Sequence, residues 1–122
     1  MPVPDGQQFI NLYRGLQGVS PHRVRNKGIG DIWTGSSVVA HKYATGDVDD
    51  SATHNFGTVI HAKVPVSAIA EDDTGDHLQE YRLHPGSEVE ISDKRFAKQN
   101  ESRKTWEEPL DWKSKFPMKG TI

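Results

Sequence analysis

Residues 77–91, HLQEYRLHPGSEVEI, decide the fold expected for this chain. Apolar and polar side chains alternate on both sides of the Pro85-Gly86 pair, a pattern typical of two strands joined by a turn. Glu80 opens the first of these strands, where a rigid edge can direct its carboxylate into a cleft. The alternative interpretation is a solvated carboxylate at a strand end, the usual environment of Glu.

Three earlier segments also carry strand patterns. Residues 9–14, FINLYR, predict a short strand that stops at Gly15, and residues 32–34, IWT, predict a second. Residues 57–64, GTVIHAKV, carry the strongest pattern, because β-branched side chains alternate there and Pro65 closes the run. We expect this segment to be a central strand with alternate side chains buried.

The remaining segments predict one helix and several loops. Residues 37–44 follow a serine suited to a helix N-cap and precede Gly46, so we expect a short helix. Residues 16–30 are expected to be a loop with one helical turn, and residues 71–76, EDDTGD, an acidic turn. Short strands around a single helix favour an α+β architecture over alternating βαβ units.

Length and charge limit the classes of protein to consider. The 122 residues suffice for one domain, residues 1–122, whose motif-bearing core is residues 9–91. The net charge of −2 offers no global polycation for nucleic acid.

Residues 92–122 are basic, with 8 Lys and Arg against 5 Asp and Glu. This segment contains the aromatic residues Phe96, Trp106, Trp112 and Phe116. It is interpreted as a solvated wrap with aromatic anchors, or as a contact surface for an acidic partner.

Several kinds of site are excluded or disfavoured. Without cysteine there is no disulfide, thiolate zinc site or cysteine nucleophile, which fits a reducing, cytoplasmic setting. The six histidines show no compact metal-ligand spacing, so we expect no metal. No apolar run approaches the roughly 20 residues of a membrane span, and the N-terminus does not resemble a signal peptide. We therefore expect no membrane partner.

Two groups of residues could hold a ligand. Arg14 ends a strand pattern, and its planar guanidinium suits a phosphate or pyrophosphate, although a surface ion pair would explain it as well. Thr34, Gly35 and Ser36 lie at a strand-to-helix junction. Hydroxyls and backbone N–H groups at such a junction can hold a ligand or orient a carboxylate, and plain helix capping is the alternative.

In this order, four segments resemble the ADP-ribosyltransferase superfamily of bacterial and phage mono-ADP-ribosylating enzymes. They are LYRG at 12–15, IWTGSSVVAHKYA at 32–44, GTVIHAKVPVSAI at 57–69 and EYRLHPGSEVEI at 80–91. The resemblance implies two small, mostly antiparallel sheets around an NAD-binding cleft. It also implies that NAD is cleaved and that ADP-ribose is transferred to a macromolecular acceptor, either protein or nucleic acid, without a metal.

The resemblance also implies roles for individual residues. Glu80 would be the catalytic carboxylate. The NAD-binding residues would be Arg14, Gly15, Thr34, Ser36 and Tyr43. The nicotinamide ring would pack against Trp33, Tyr43 or Tyr81. Glu88 and Glu90 form a second carboxylate pair and rank behind Glu80, because no apolar strand with a Pro-Gly turn follows them.

This chain departs from the family pattern in ways that keep other functions open. Thr34 and Gly35 replace the first two residues of the usual Ser-Thr-Ser, and Leu78 stands where Glu or Gln usually helps select the acceptor. Arginine is therefore not the expected acceptor. A catalytically inactive binding protein on the same scaffold and an NAD glycohydrolase are the alternatives. Roles as a toxin, a phage effector or a housekeeping modifier also stay open.

Overall fold

The computed structural model describes residues 8–46, 56–73, 79–98 and 117–122. Its strands are β1 (Phe9–Gln17), β2 (Ile32–Thr34), β3 (Phe56–Pro65), β4 (Ile69–Asp73), β5 (Glu80–Leu83), β6 (Glu88–Lys98) and β7 (Met118–Thr121). One helix, α1 (Ser37–Thr45), and two single 3-10 turns, Pro21–Arg23 and Val66–Ala68, complete the described elements. The mostly antiparallel strands with one helix agree with the expected α+β class.

The described strands form one seven-stranded sheet in the order β4-β5-β2-β1-β3-β6-β7, and not the two small sheets that we expected. The reason is that β1 pairs on both of its sides. It pairs along its whole length with β3, but with β2 only where Tyr13 lies opposite Thr34. We call this single pair the seam. It joins a three-stranded group, β4-β5-β2, to a four-stranded group, β1-β3-β6-β7.

The Pro85-Gly86 turn links these two groups. Gly86 has a positive φ of 82°, and the Ser87 N–H donates to the His84 carbonyl at 3.2 Å, as a tight turn requires. However, the strands on either side of the turn do not pair with each other. β5 lies between β4 and β2, whereas β6 lies between β3 and β7. The turn therefore carries the chain from one end of the sheet to the other.

Helix α1 covers one face of the four-stranded group. Ser36 caps its N-terminus by accepting a hydrogen bond from the Val39 N–H, and Gly46 ends it in the left-handed conformation. The helix lies against β1 because Gly15 has no side chain; a Cβ there would collide with the Ala40 carbonyl oxygen. The expectation that Gly15 ends the strand was therefore wrong, and β1 continues to Gln17.

Three strand regions were not predicted. The acidic segment that we expected to be a turn contributes β4, and β6 continues past Ile91 to Lys98. Strand β7 pairs with β6, so the described parts of residues 92–122 belong to the sheet and are not a solvated wrap. Trp106, Trp112, Phe116 and Leu78 lie outside the described residues.

The main core lies on the sheet face opposite α1, and a smaller buried cluster of Ala40, Ala44, Val59 and Ala97 lies under the helix. The largest buried side chains of the main core are Leu12, Trp33, Ile60, Val64, Leu83 and Ile91. Lys94 is buried on the same face, opposite Ile60, and its ammonium group donates to the Val24 carbonyl at 2.8 Å and to Asn26 Oδ1 at 2.6 Å. Burial lowers the pKa of Lys94. No helix in the described part of the chain is long and apolar enough to cross a membrane.

Candidate functional site

A row of polar and aromatic residues crosses the sheet on the face that carries α1. In the strand register, Glu80 lies opposite Thr34, Thr34 opposite Tyr13, and Tyr13 opposite His61, which in turn faces Asp93. Residues directly opposite in antiparallel strands project from the same face, with Cβ atoms roughly 5 Å apart. The row therefore brings together residues from five strands and crosses the seam at its centre.

A pocket of about 110 Å³ opens at the seam. Five of the six site residues expected from the sequence line it: Arg14, Gly15, Thr34, Tyr43 and Glu80. Tyr13, Ile32 and Trp33 complete its wall. Ser36 is not part of this lining. The structure thus gathers residues from β1, β2, α1 and β5 around one opening.

Arg14 holds the two sides of the seam together. Its Nε donates to the Ile29 carbonyl at 3.0 Å, and its Nη1 donates to the Ile32 carbonyl at 2.6 Å. Burial lowers the pKa of Arg14, while the nearby Asp31 raises it; the guanidinium remains charged in either case. The expected ligand-binding arginine is therefore tied to backbone carbonyls. Because Arg14 lies opposite Ile60, its side chain leaves β1 on the core side of the sheet, and it lines the pocket from that side.

In the Thr34-Gly35-Ser36 segment, Thr34 lines the pocket and Ser36 caps the helix. Thr34 is buried and lines the pocket, and its Oγ1 accepts a hydrogen bond from the Ser36 N–H at 3.1 Å. The Ser36 hydroxyl accepts from Val39 N–H at 3.2 Å, which is the capping role weighed as the alternative. Ser36 therefore orients Thr34 and begins α1, while Thr34 reaches the pocket.

Glu80 lies where β5 begins and is half-buried. Its neighbours in the sheet are Thr34 on β2 and Asp73 on β4. Glu88 and Glu90 lie elsewhere: they are exposed on β6 and face the edge strand β7. Among these three carboxylates, Glu80 is the one that lines the pocket.

The sequence did not predict that His61 supports the pocket wall by packing against Tyr13. Tyr13 stacks on His61 with ring centroids 4.8 Å apart and an angle of 16° between the rings. His61 Nε2 lies 3.0 Å from Asn11 Oδ1, which steadies the imidazole. Burial lowers the pKa of His61, Asp93 partly opposes that shift, and the cations Arg95 and Lys63 add to it. Only the β1–β3 register reveals this pair, because Tyr13 and His61 are far apart in the sequence.

The aromatic residues expected to contact nicotinamide occupy different environments. Trp33 is 1% exposed and belongs to the core, and its indole N–H donates to the Gly30 carbonyl at 2.8 Å. Tyr81 packs against the same core from a partly buried position. Tyr43 is 37% exposed and lines the pocket. Tyr43 and Tyr13 are therefore the aromatic rings best placed to meet a ligand.

The described residues contain no group of three His, Cys, Asp or Glu side chains that could hold a metal ion. In comparisons with known proteins, no family model, curated protein or solved structure matches this chain. Support for the candidate site therefore comes from the residues of this chain alone.

Proposed function

We propose that this protein is a mono-ADP-ribosyltransferase that cleaves NAD and transfers ADP-ribose to a macromolecular acceptor other than arginine. One observation carries the proposal: Arg14, Thr34, Tyr43 and Glu80 are distant in sequence but line a single pocket. Each is a residue type that has a use in this reaction. A carboxylate, a guanidinium, a hydroxyl and an aromatic ring together can bind a nucleotide and stabilise a cationic ribose.

Glu80 has the central role in this mechanism. When the bond between ribose and nicotinamide breaks, the bonding electrons leave with nicotinamide and positive charge develops on the ribose. A carboxylate beside the ribose 2′-hydroxyl stabilises that charge most strongly in the transition state. The acceptor then forms a bond to the same ribose carbon and releases a proton.

Arg14 and Thr34 hold the substrate in this scheme. The Arg14 guanidinium is fixed by the Ile29 and Ile32 carbonyls, so its charge is in place before the pyrophosphate arrives. A preorganised charge loses less entropy on binding than a mobile one. Thr34 lies between Tyr13 and Glu80 in the row and lines the pocket.

Tyr13 and Tyr43 provide the aromatic surface. The His61 ring supports Tyr13 from the β3 side, so the tyrosine ring has little freedom to rotate away. Stiff aromatic walls suit a planar ring, because stacking gains area without a large loss of side-chain freedom. Nicotinamide is the planar group that this reaction brings to the pocket.

A second candidate is a binding protein on the same scaffold that does not turn over NAD. The size of the pocket favours it: about 110 Å³ is smaller than the roughly 300–1,000 Å³ typical of small-molecule sites. Arg14 also serves as a brace across the seam, which accounts for its presence without a ligand. On this reading the row of polar residues contacts a protein partner.

One experiment separates these functions. The purified protein is incubated with NAD carrying a label on the adenosine, with and without cell lysate, and free nicotinamide is measured. A transferase releases nicotinamide and leaves the label on macromolecules, where protease and nuclease digestion distinguish protein from nucleic acid. A glycohydrolase releases nicotinamide and free ADP-ribose without lysate. Absence of nicotinamide release under all conditions rejects both activities and leaves the binding protein.

A further inference from the structure

Gln79, the residue directly before Glu80, has an unusual backbone conformation. Its φ is +48°, and it is the sole non-glycine residue with a positive φ among the residues that the structure describes. Glycine, asparagine and aspartate adopt this region most readily, whereas a side chain such as glutamine is strained there. Strained residues persist only where their surroundings hold them, and they concentrate at functional sites.

Gly35 is the residue that holds Gln79 in place. The Gly35 N–H donates to the Gln79 carbonyl at 3.0 Å, which extends the β2–β5 pairing one step beyond Thr34 and Glu80. A Cβ on Gly35 would lie 3.9 Å from the Gln79 Cβ and 3.3 Å from its Oε1. Opposite Cβ atoms in a regular antiparallel pair are roughly 4.5–5.5 Å apart. Gln79 thus packs closely against Gly35, where a side chain would leave less room for it.

We propose that Gln79 is a positioning residue for Glu80, an inference that rests on the proposed function. Its positive φ sets the direction of the chain as it enters β5, and its hydrogen bond to Gly35 anchors that direction to β2. Together they hold Glu80 opposite Thr34, where both line the pocket. A negative φ at Gln79 would change the direction in which the chain enters β5 and would therefore shift Glu80 relative to Thr34.

The test uses variants that differ in their tolerance of a positive φ. Gln79→Gly and Gln79→Asn accept the conformation, whereas the β-branched Gln79→Val opposes it. We expect the first two to keep kcat for NAD cleavage within about threefold of the wild type. We expect Gln79→Val to lower kcat at least tenfold while leaving the Kd for NAD unchanged. Lys119→Val, an exposed strand position on β7, is the matched control and should leave kcat unchanged.

Thermal unfolding gives a second measurement that does not need turnover. Relief of strain should raise the Tm of Gln79→Gly by about 3 °C, and Gln79→Val should lower Tm. If Gln79→Gly and Gln79→Val lose kcat equally while Gln79→Asn retains it, the carboxamide contacts the substrate and the positioning role is wrong. Equal Tm values for all variants would show that Gln79 is unstrained and would also overturn the inference. Absence of NAD cleavage by the wild type overturns the proposed function and the role in catalysis, whereas the Tm series still decides whether Gln79 is strained.

Discussion

Replacement of Glu80 by glutamine is the sharpest test of the candidate site. The substitution keeps the size of the side chain and removes its negative charge. If Glu80 stabilises the cationic ribose, NAD should still bind and the rate of cleavage should fall. Because the charge on ribose exists only near the transition state, the effect should appear in kcat and not in Kd.

The expected size of the effect follows from the position of Glu80 in the sheet. It is half-buried at a pocket wall, an environment between bulk water and the protein interior. Two unit charges about 4 Å apart in such surroundings interact by about 4 kcal/mol. Since about 1.4 kcal/mol corresponds to a factor of ten in rate, full loss would lower kcat by about 10³. Partial solvent exposure reduces this, so we expect a decrease of about 10² to 10³.

Single-turnover measurement of nicotinamide release provides the assay, and NAD affinity is measured separately by calorimetry. Glu88→Gln and Glu90→Gln are matched controls, because both are exposed on β6 and face β7. They should change kcat by less than about threefold. A larger loss in either control than in Glu80→Gln would move the catalytic carboxylate to β6 and refute the reasoning.

Three further substitutions test the surroundings of the site. Arg14→Ala removes two hydrogen bonds to backbone carbonyls, one of which crosses the seam to Ile32, so the free energy of unfolding in urea should fall by about 2–3 kcal/mol, and NAD affinity should fall by about 1.5–3 kcal/mol; unchanged values would show that Arg14 neither braces the seam nor binds NAD. Gly15→Ala places a Cβ against the backbone of α1, so stability should fall by about 3 kcal/mol, and an unaltered urea midpoint would contradict the observed packing. The lowered pKa of His61 means that the folded state favours the neutral imidazole. The contribution of His61 to the free energy of unfolding is therefore fully present above about pH 6.5. It is lost as the pH falls from there through the lower pKa that His61 has in the folded state. His61→Gln should flatten the dependence of stability on pH in this range, whereas the exposed control His84→Gln should retain it.

Segments with strong local patterns were predicted well from the sequence. The observed β2 has the expected bounds, and α1 and β3 begin and end within one residue of the expected positions. Their signals are local: a capping serine, a terminal glycine, and alternating β-branched residues closed by a proline. The grouping of Arg14, Thr34, Tyr43 and Glu80 at one pocket was also expected, although Ser36 proved to cap the helix.

The missed features depend on contacts between distant residues. Glycine usually weakens a strand, but Gly15 is needed within β1 because α1 lies directly on it. Lys94 reads as a solvated residue, yet it is buried because Val24 and Asn26 accept its hydrogen bonds. Likewise, the stacking of Tyr13 on His61 exists only because β1 and β3 pair in one particular register. A local pattern contains none of this information.

The seam also bears on how such a protein can diverge. Because only Tyr13 and Thr34 pair across it, the three-stranded group shares few backbone bonds with the four-stranded group. Substitutions at the exposed positions of β4 and β5, which leave the core residue Leu83 in place, therefore disturb little of the pairing between β1, β3 and β6. Selection can alter one wall of the pocket, and with it the choice of ligand, while the main core keeps its sequence constraints. A lineage built on this sheet can change specificity without first losing its fold.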